Sequence, residues 1–588
     1  PLTGSGTSGF PLNILSASID STHVKNYGLS VLDIGQHSAT SGQVLKWNGT
    51  QWAPAADTDT DTGGDVGIIN ALDYGVVGDG VTDDVDSLQA AIDAAVGQRL
   101  WIPDGTYYIS SSLTVASNTE IVMSTNATID ISSWSPAVTA GLTRAINISG
   151  SAGSAISLTA DVAIGDYDIT ITSTSGFAAG DMVVVASTEP LHTGYDRYKG
   201  YATFVDSVIS GTVLRLANKS YFSIDAVGGS YSATVREYTP KENIKISGGK
   251  IIGGGINHGH VGIYLANFKN IVIEGVEIRD METVGIWCGT GINQTIRDCK
   301  IYNSTSPTYL GVNYGYGIGI LGTGFGAVIE GNYFQYCRHS VAGGASPPAF
   351  TALIAHNTSY DSGIGGHDLD CHESTVGFRY IGNSTYAGPH GGGGIVVRGT
   401  DVSVIGNFVN GNSIIVANTV SISSATLGRT FLSGNTIRNA VVGIDLSGDN
   451  VNEISIEGGT IENMSTAGVR VLNSSTNVKV TGVSFINTTK AVYADNGTGL
   501  VVTGCTVNGG TEGVGVVSSS GRIIVANNVF NVTASGVSIY DTDNVIVDGN
   551  TIYGITSSSA INFNRSDYGT ITGNRIHMNA AGQNAIVA

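Results

Sequence analysis

Charged side chains are scarce in this chain, 13% of 588 residues, so a place where they gather invites a chemical reading. One such place runs from about residue 336 to about residue 400, through the segments YCRHSVAGG, GGHDLDCHES and GGGGIVVRGT. Successive side chains of a strand alternate between its two faces. Aligning HDLDCH with GIVVRG sets Leu369 and Cys371 level with the inward Ile395 and Val397, so Asp368, Asp370 and His372 are predicted to point outward as one ladder. Alternate positions lie about 6.6 Å apart along a strand and neighbouring strands about 4.8 Å apart. The same alignment sets Arg398 one strand beyond His372, at the same phase. His339 and His390 each lie seven residues after an Asn of a repeat described below, which places them on that surface too.

Two reactions suit these residue types. In a glycoside hydrolase, Asp368 and Asp370 would divide the acid and base roles, their spacing near the lower end of the roughly 6.5–9.5 Å of inverting enzymes. In a lyase, His372 or His339 would take the proton next to a carboxylate that Arg398 neutralises. The first needs only a neutral glycan, the second a uronic acid, and a guanidinium beside an imidazole and two carboxylates suits a sugar acid. Tyr309, Tyr314, Tyr316, Trp287 and Tyr333 are candidate platforms for sugar rings, whereas Phe334 and Ile318 read as core. Each candidate has a plainer reading, since a lone outward His is ordinarily a surface residue. His258 and His260 in NHGHVG have the spacing of a metal pair on a strand, but turn hydrogen bonds account for them more simply. No metal or cofactor is implied, and calcium is left open.

The elements that must carry these groups are announced by a repeat. From about residue 240 onward a short phrase recurs, as in IEGNYF, IAHNTS, YIGNST, VIGNFV, LSGNTI and VDGNTI. Its fourth residue falls at Asn332, Asn357, Asn383, Asn407, Asn435, Asn528, Asn550 and Asn574 among others. The step averages roughly 25 residues, which is a solenoid period. A second phrase follows in most periods, with alternating apolar residues after a small one: GIYL, GIWC, GIGI, GIVV, GIDL, GVRV. Short strands separated by Gly and Asn, which tolerate left-handed turns, describe coils of a parallel β-helix. The recurrent Asn is predicted to stack from coil to coil. The fold class is therefore all-β, a right-handed parallel β-helix with coils of about 25 residues.

Three further segments complete the organisation. Residues 1–66 hold a Trp-containing hairpin, GQVLKWNGTQW (Trp47, Trp52), and a Thr/Asp linker too polar to bury. Residues 67–155 open the β-helix, and Leu88, Ala91, Ile92 and Ala95 give a helical apolar face that caps its open end. Asp83 and Asp84 suit the N-terminus of that helix. Residues 156–240 read as an inserted set of antiparallel strands, and 241–588 as the main β-helix. With 82 Gly, 11 Pro and few long helix formers, most of the chain is strand and turn. The net charge of −20, from 27 basic and 47 acidic residues, argues against nucleic acid or an anionic membrane as partner. No apolar run reaches the roughly 18 residues of a membrane span. The five cysteines lack CxxC spacing and read as small buried hydrophobes.

The run DYGVVGDGVTDD followed by PDGTYYIS resembles the opening of pectate-lyase-like β-helices, a signature that recurs in phage tailspikes, exopolygalacturonase-type hydrolases and secreted mannuronan epimerases. In that family Asp79, Asp83 and Asp84 would be structural. GQVLKWNGTQW resembles short modules of phage tail fibres and spikes. Asp370-Cys371-His372-Glu373 resembles the Asp-Pro-His-Glu motif of epimerase-like and alginate-lyase-like β-helices, with Cys371 replacing Pro. The strand reading above and the motif together make Asp368, Asp370, His372 and Glu373 the candidate catalytic residues, and Arg338, His339, His390, Arg398 and Tyr316 the candidate substrate-binding ones; the resemblance itself puts Asp370 and His372 in the active cleft and gives Arg398 the substrate carboxylate. It implies a homotrimeric tailspike of the virion. Such a spike attaches to other tail proteins through its N-terminal module and cleaves a host cell-surface polysaccharide, hydrolysis being favoured because such spikes commonly hydrolyse. The alternatives are a secreted polysaccharide lyase or uronan epimerase, and a non-catalytic glycan-binding adhesin.

Overall fold

The computed structural model describes residues 67–588 apart from 135–141, 192–196, 256–257, 305–313, 364, 418–428, 448–450, 473–474, 567, 580–583 and 588. It also describes four short strands before them, Leu2–Thr3, Asn13–Ile14, Gln43–Trp47 and Trp52–Ala56. Tyr309 and the Thr/Asp linker lie outside the described residues. The chain forms two units, Pro1–Val66 and Gly67–Ala588. In the first, Gln43–Trp47 and Trp52–Ala56 pair as an antiparallel hairpin with Trp47 opposite Trp52.

The second unit is a parallel β-solenoid, and its coils follow the repeat. IEGNYF gives two short strands, Val328–Glu330 and Tyr333–Gln335, turned at Gly331, whose φ of +67° suits glycine. The strand His339–Gly343 completes the coil. The next coil repeats this with Leu353–Ala355, Thr358–Tyr360 and Leu369–Cys371, each in parallel register with its predecessor. Strands of the third kind stack into one 16-stranded sheet running from Leu113–Thr114 to Ile586–Val587. Ile329, Ile354, Tyr380, Val404 and Leu432, at one phase of successive coils, lie fully buried and show how one apolar position per coil builds a continuous core.

The predicted asparagine stack is present. Asn332, Asn357, Asn383 and Asn407 each donate from the side-chain amide to the next Asn side chain, at 2.9, 3.0, 2.9 and 3.0 Å, ending on Asn435. The capping helix spans Val85–Ala94 and buries Leu88, Ala91 and Ile92. Asp83 meets its first turn through the Val85 N–H at 3.2 Å, but Asp84 does not cap it. The Asp84 carboxylate turns back to accept the N–H groups of Val77 and Gly78, tying down the loop before the helix. Between the coils, Ser151–Thr239 folds into a six-stranded antiparallel sheet. Its core runs onto the solenoid through Phe350 and Val376, and Tyr198 N–H reaches Ser346 Oγ at 3.1 Å. All five cysteines are buried and free. No helix among the described residues is long and apolar enough to cross a membrane.

Candidate active site

The charged segments come together on the outer face of the 16-stranded sheet, where His339–Gly343, Leu369–Cys371 and Ile395–Val397 are consecutive strands. Leu369 and Cys371 enter the core as expected. Asp370 and His372 take the other phase. Cys371 is in register with Val397, so Arg398 lies beside His372 and bends back over the Asp370 carboxylate, with Nε 3.2 Å from Oδ1 and Nη2 bonded to Oδ2. The guanidinium also reaches Glu373 Oε1 at 3.3 Å through Nη1. Both imidazoles lean toward the same carboxylate: the Nε2 atoms of His339 and His372 lie 3.7 and 3.6 Å from Asp370 Oδ2. His339 is fixed by Nδ1, 2.8 Å from the His367 carbonyl, whereas the buried Nε2 of His372 has no hydrogen-bond partner.

Electrostatics divide these groups. Asp370 is fully buried, but His372, His339 and Arg398 hold its carboxyl below the usual range despite that burial. Desolvation pushes both imidazoles down, His339 to about 3 against the opposing pull of Asp370, so both are neutral near pH 7. The site therefore offers a fixed carboxylate, a fixed guanidinium and a neutral imidazole with an unengaged nitrogen. His339, Asp370 and His372 could each give a metal one ligand atom, the three lying within 4.8 Å of one another. Arg398 already occupies both oxygens of Asp370 as its cation, so the donor set is neutralised without a metal.

Asp368 corrects the predicted ladder. It points inward, fully buried, and accepts from Ser359 Oγ, from Ser362 Oγ and from the Gly394 N–H at 2.9 Å. Desolvation raises its pKa. The cause is a corner where two consecutive residues face the core. A Cβ on Gly285 or Gly317, at the same phase in earlier coils, would meet Ile301 at 2.9 Å or Phe334 at 2.7 Å. Ser359 stands where Phe334 stands one coil earlier, and its small side chain leaves room for Ser340 and Asp368.

The remaining predicted residues fall at two places. Arg338 packs over Tyr316, 6.0 Å from the ring centre, and Tyr316 packs on His339 at 5.2 Å. His390 instead bonds Asp361 Oδ2 at 2.8 Å and stacks on Tyr336, outside the Asp370 cluster. Tyr333 pairs with Tyr302 away from it. His260 makes turn bonds, accepting from Gly254 N–H at 2.9 Å and meeting the Trp134 carbonyl at 2.8 Å.

Family models match two stretches of this fold: "Rhamnogalacturonase A/epimerase, pectate lyase-like" over residues 68–340 and "Right handed beta helix region" over 467–588. The chain is a right-handed parallel β-helix. The motif at Asp370–Glu373 lies in neither matched stretch. Among solved β-helices, the chain resembles the Gp54 tailspike of Acinetobacter baumannii bacteriophage AP22, solved with capsular saccharide. That likeness has 16% identity, covers 84% of this chain and 76% of that one, and has a TM-score of 0.55. The gp49 tailspike of Pseudomonas phage LKA1 gives 15%, 86%, 84% and 0.48 in the same order. A curated relative, plasmin and fibronectin-binding protein A of Streptococcus pneumoniae, is 38% identical over 65 residues, 10% of this β-helix and 9% of its own length.

Two parts of the β-helix site escape a reading by residue type. The inserted sheet meets the coil of the His339–Gly343 strand through the Tyr198 N–H and Ser346 Oγ. The inward corner could have been read from the second phrase of the repeat, where Asp368 aligns with the Gly of GIGI and GIVV.

Proposed function

We propose that this β-helix is a tailspike-type protein that binds and depolymerises a bacterial surface polysaccharide at the His339, Asp370, His372 and Arg398 cluster. One observation carries the reading: a neutral, partly exposed His372 turned by its Nε2 toward a buried carboxylate that also holds a guanidinium. The saccharide-bound tailspike of like fold supports the ligand class. In the reaction, the outer ring nitrogen of His372, Nδ1, takes the proton next to the carboxylate of a uronic acid, with Nε2 turned to Asp370. The electron pair forms a carbon–carbon double bond, and the glycosidic oxygen leaves with a proton from solvent. Arg398 stabilises the charge that develops on the sugar carboxylate, Asp370 holds Arg398 in place and orients His372, and Glu373 steadies Arg398.

Hydrolysis by Asp368 and Asp370 has less support, because the first faces the core and the second is kept ionised, so neither offers a proton to a leaving group. Assembly as a homotrimer in a phage tail, joined to other tail proteins through residues 1–66, belongs to the same proposal, and sedimentation at the mass of one chain would sink that part. The 65-residue match to a plasmin and fibronectin-binding protein supports a second reading, a non-catalytic adhesin. Incubation with purified host polysaccharide separates these. Shorter chains by size-exclusion chromatography with new ultraviolet absorbance mean elimination, and shorter chains without it mean hydrolysis. Binding with no shortening means the adhesin.

A further inference from the structure

Toward the N-terminal end of the same sheet face, an unbroken series of rings leads away from the cluster. His339 packs on Tyr316, Tyr316 on Tyr314 at 5.9 Å, Tyr314 on Trp287 at 5.3 Å, and Trp287 on Tyr264 at 5.8 Å. Arg144 closes the series, its guanidinium carbon 3.6 Å from the centre of the Tyr264 ring. Tyr264, Trp287 and Tyr314 are only partly buried. Tyr264 and Trp287 share one outward phase with Gly319, Ala342 and Asp370 in successive coils. Four coil steps of about 4.8 Å therefore separate Tyr264 from the Asp370 carboxylate, roughly 19 Å along the axis. The two positions between Trp287 and Asp370 carry a glycine and an alanine, both buried, with Tyr316 and Leu321 packed around them.

Arg144 makes this more than an apolar strip. In a protein with 47 acidic and 27 basic residues, it forms no ion pair among the described residues. Among the described residues it donates from Nη1 to Asn147 Oδ1 at 3.3 Å, and its buried Nε has no partner there. A guanidinium laid flat on an aromatic ring keeps its edge donors for a planar anion.

We propose that Arg144, Tyr264, Trp287 and Tyr314 form an extended subsite tract for an acidic polysaccharide, the rings stacking on sugar faces and Arg144 pairing with a carboxylate several residues from the bond that is cut. This rests on the functional reading above and specifies its substrate as anionic along its length. The test uses the full chain and a panel of purified bacterial capsular and exopolysaccharides, each as the native acidic polymer and after reduction of its carboxylates to alcohols. Trp287→Ala and Arg144→Gln are each expected to weaken binding of the best native polymer by about tenfold or more, in line with loss of one stacked ring or one charged bond. Trp287→Phe restores affinity, carboxylate reduction mimics Arg144→Gln, and His372→Ala binds normally without cutting. Unchanged affinity in Trp287→Ala, Tyr264→Ala and Arg144→Gln, with cutting by the parent intact, overturns the tract and leaves the functional reading standing. If no polymer binds, both fall.

Discussion

A carboxylate is inexpensive to bury only when its charge is answered, and the two aspartates of Leu369–Cys371 and its preceding residue answer theirs differently. Asp370 is met by a guanidinium and two imidazoles, Asp368 by two hydroxyls and an amide. His372→Ala should therefore lower depolymerisation about 100-fold or more while leaving polysaccharide affinity within a few-fold, as expected for loss of a general base. Arg398→Lys should lose most of the rate as well, because an ammonium cannot span both Asp370 oxygens and Glu373. Initial rates of product release alongside binding isotherms check both. The pH–rate profile has a predicted sense: the base form of His372 persists below the ordinary imidazole value, so the acid limb should lie below about 6.5. Stability follows linkage with the same sign. Between its lowered folded value of about 3 and about 6.5, His339 binds fewer protons folded than unfolded, so stability is lost as pH falls through that window. Raised in the folded state, Asp368 works the opposite way and favours folding more at low pH. In melting scans the fall in Tm from neutral to acid pH should shrink in His339→Gln. Much of this cluster was legible in the sequence: the phase of Asp370, His372 and Arg398 follows from alignment of apolar neighbours. Asp368 was misread because strict alternation was assumed through a corner that breaks it.

Strands of three residues are too short to hold register by themselves, so the turns carry that duty. Each buried Asn satisfies a neighbouring coil's backbone and side chain together. Asn383, for instance, donates to the Ile354 carbonyl at 2.8 Å and to Asn407 Oδ1, and accepts the backbone N–H of Asn357 at 3.0 Å. Asn383→Ala should cost about 1–3 kcal/mol by stranding those groups in the interior. The solvent-side stack of Asn439, Asn463 and Asn487 is bonded side chain to side chain but exposed, and Asn463→Gly, which keeps the φ of +61° without strain, should change stability by no more than about 0.5 kcal/mol. Denaturant titration of the two variants checks the contrast. Repeat length and the stacking of Asn were readable from spacing alone, because both are one-dimensional properties. Which of two asparagine columns is buried was not, since that depends on how each turn folds over the core.

At the scale of the molecule, the capping helix and the inserted sheet do different jobs. The helix closes the first coil, and Leu88→Asp should expose it, lowering Tm and promoting association through open strand edges, measurable by light scattering on heating. The sheet packs on the coils through Phe350, Val376 and Ser346, so it is part of the solenoid's surface rather than a separate appendage. Its existence was readable from a change in strand pattern at about residue 156, but its contact from Tyr198 to Ser346, 148 positions later, was not. The outward column from Tyr264 to Asp370 has one last implication. Its members are spaced by whole coils of backbone hydrogen bonds, so the gap between the ring tract and the reacting carboxylate cannot drift by fractions. It changes only when a complete coil is gained or lost, in increments of about 4.8 Å. A lineage built on this frame would switch among polymers with different repeat lengths in jumps, the solenoid acting as a graduated ruler.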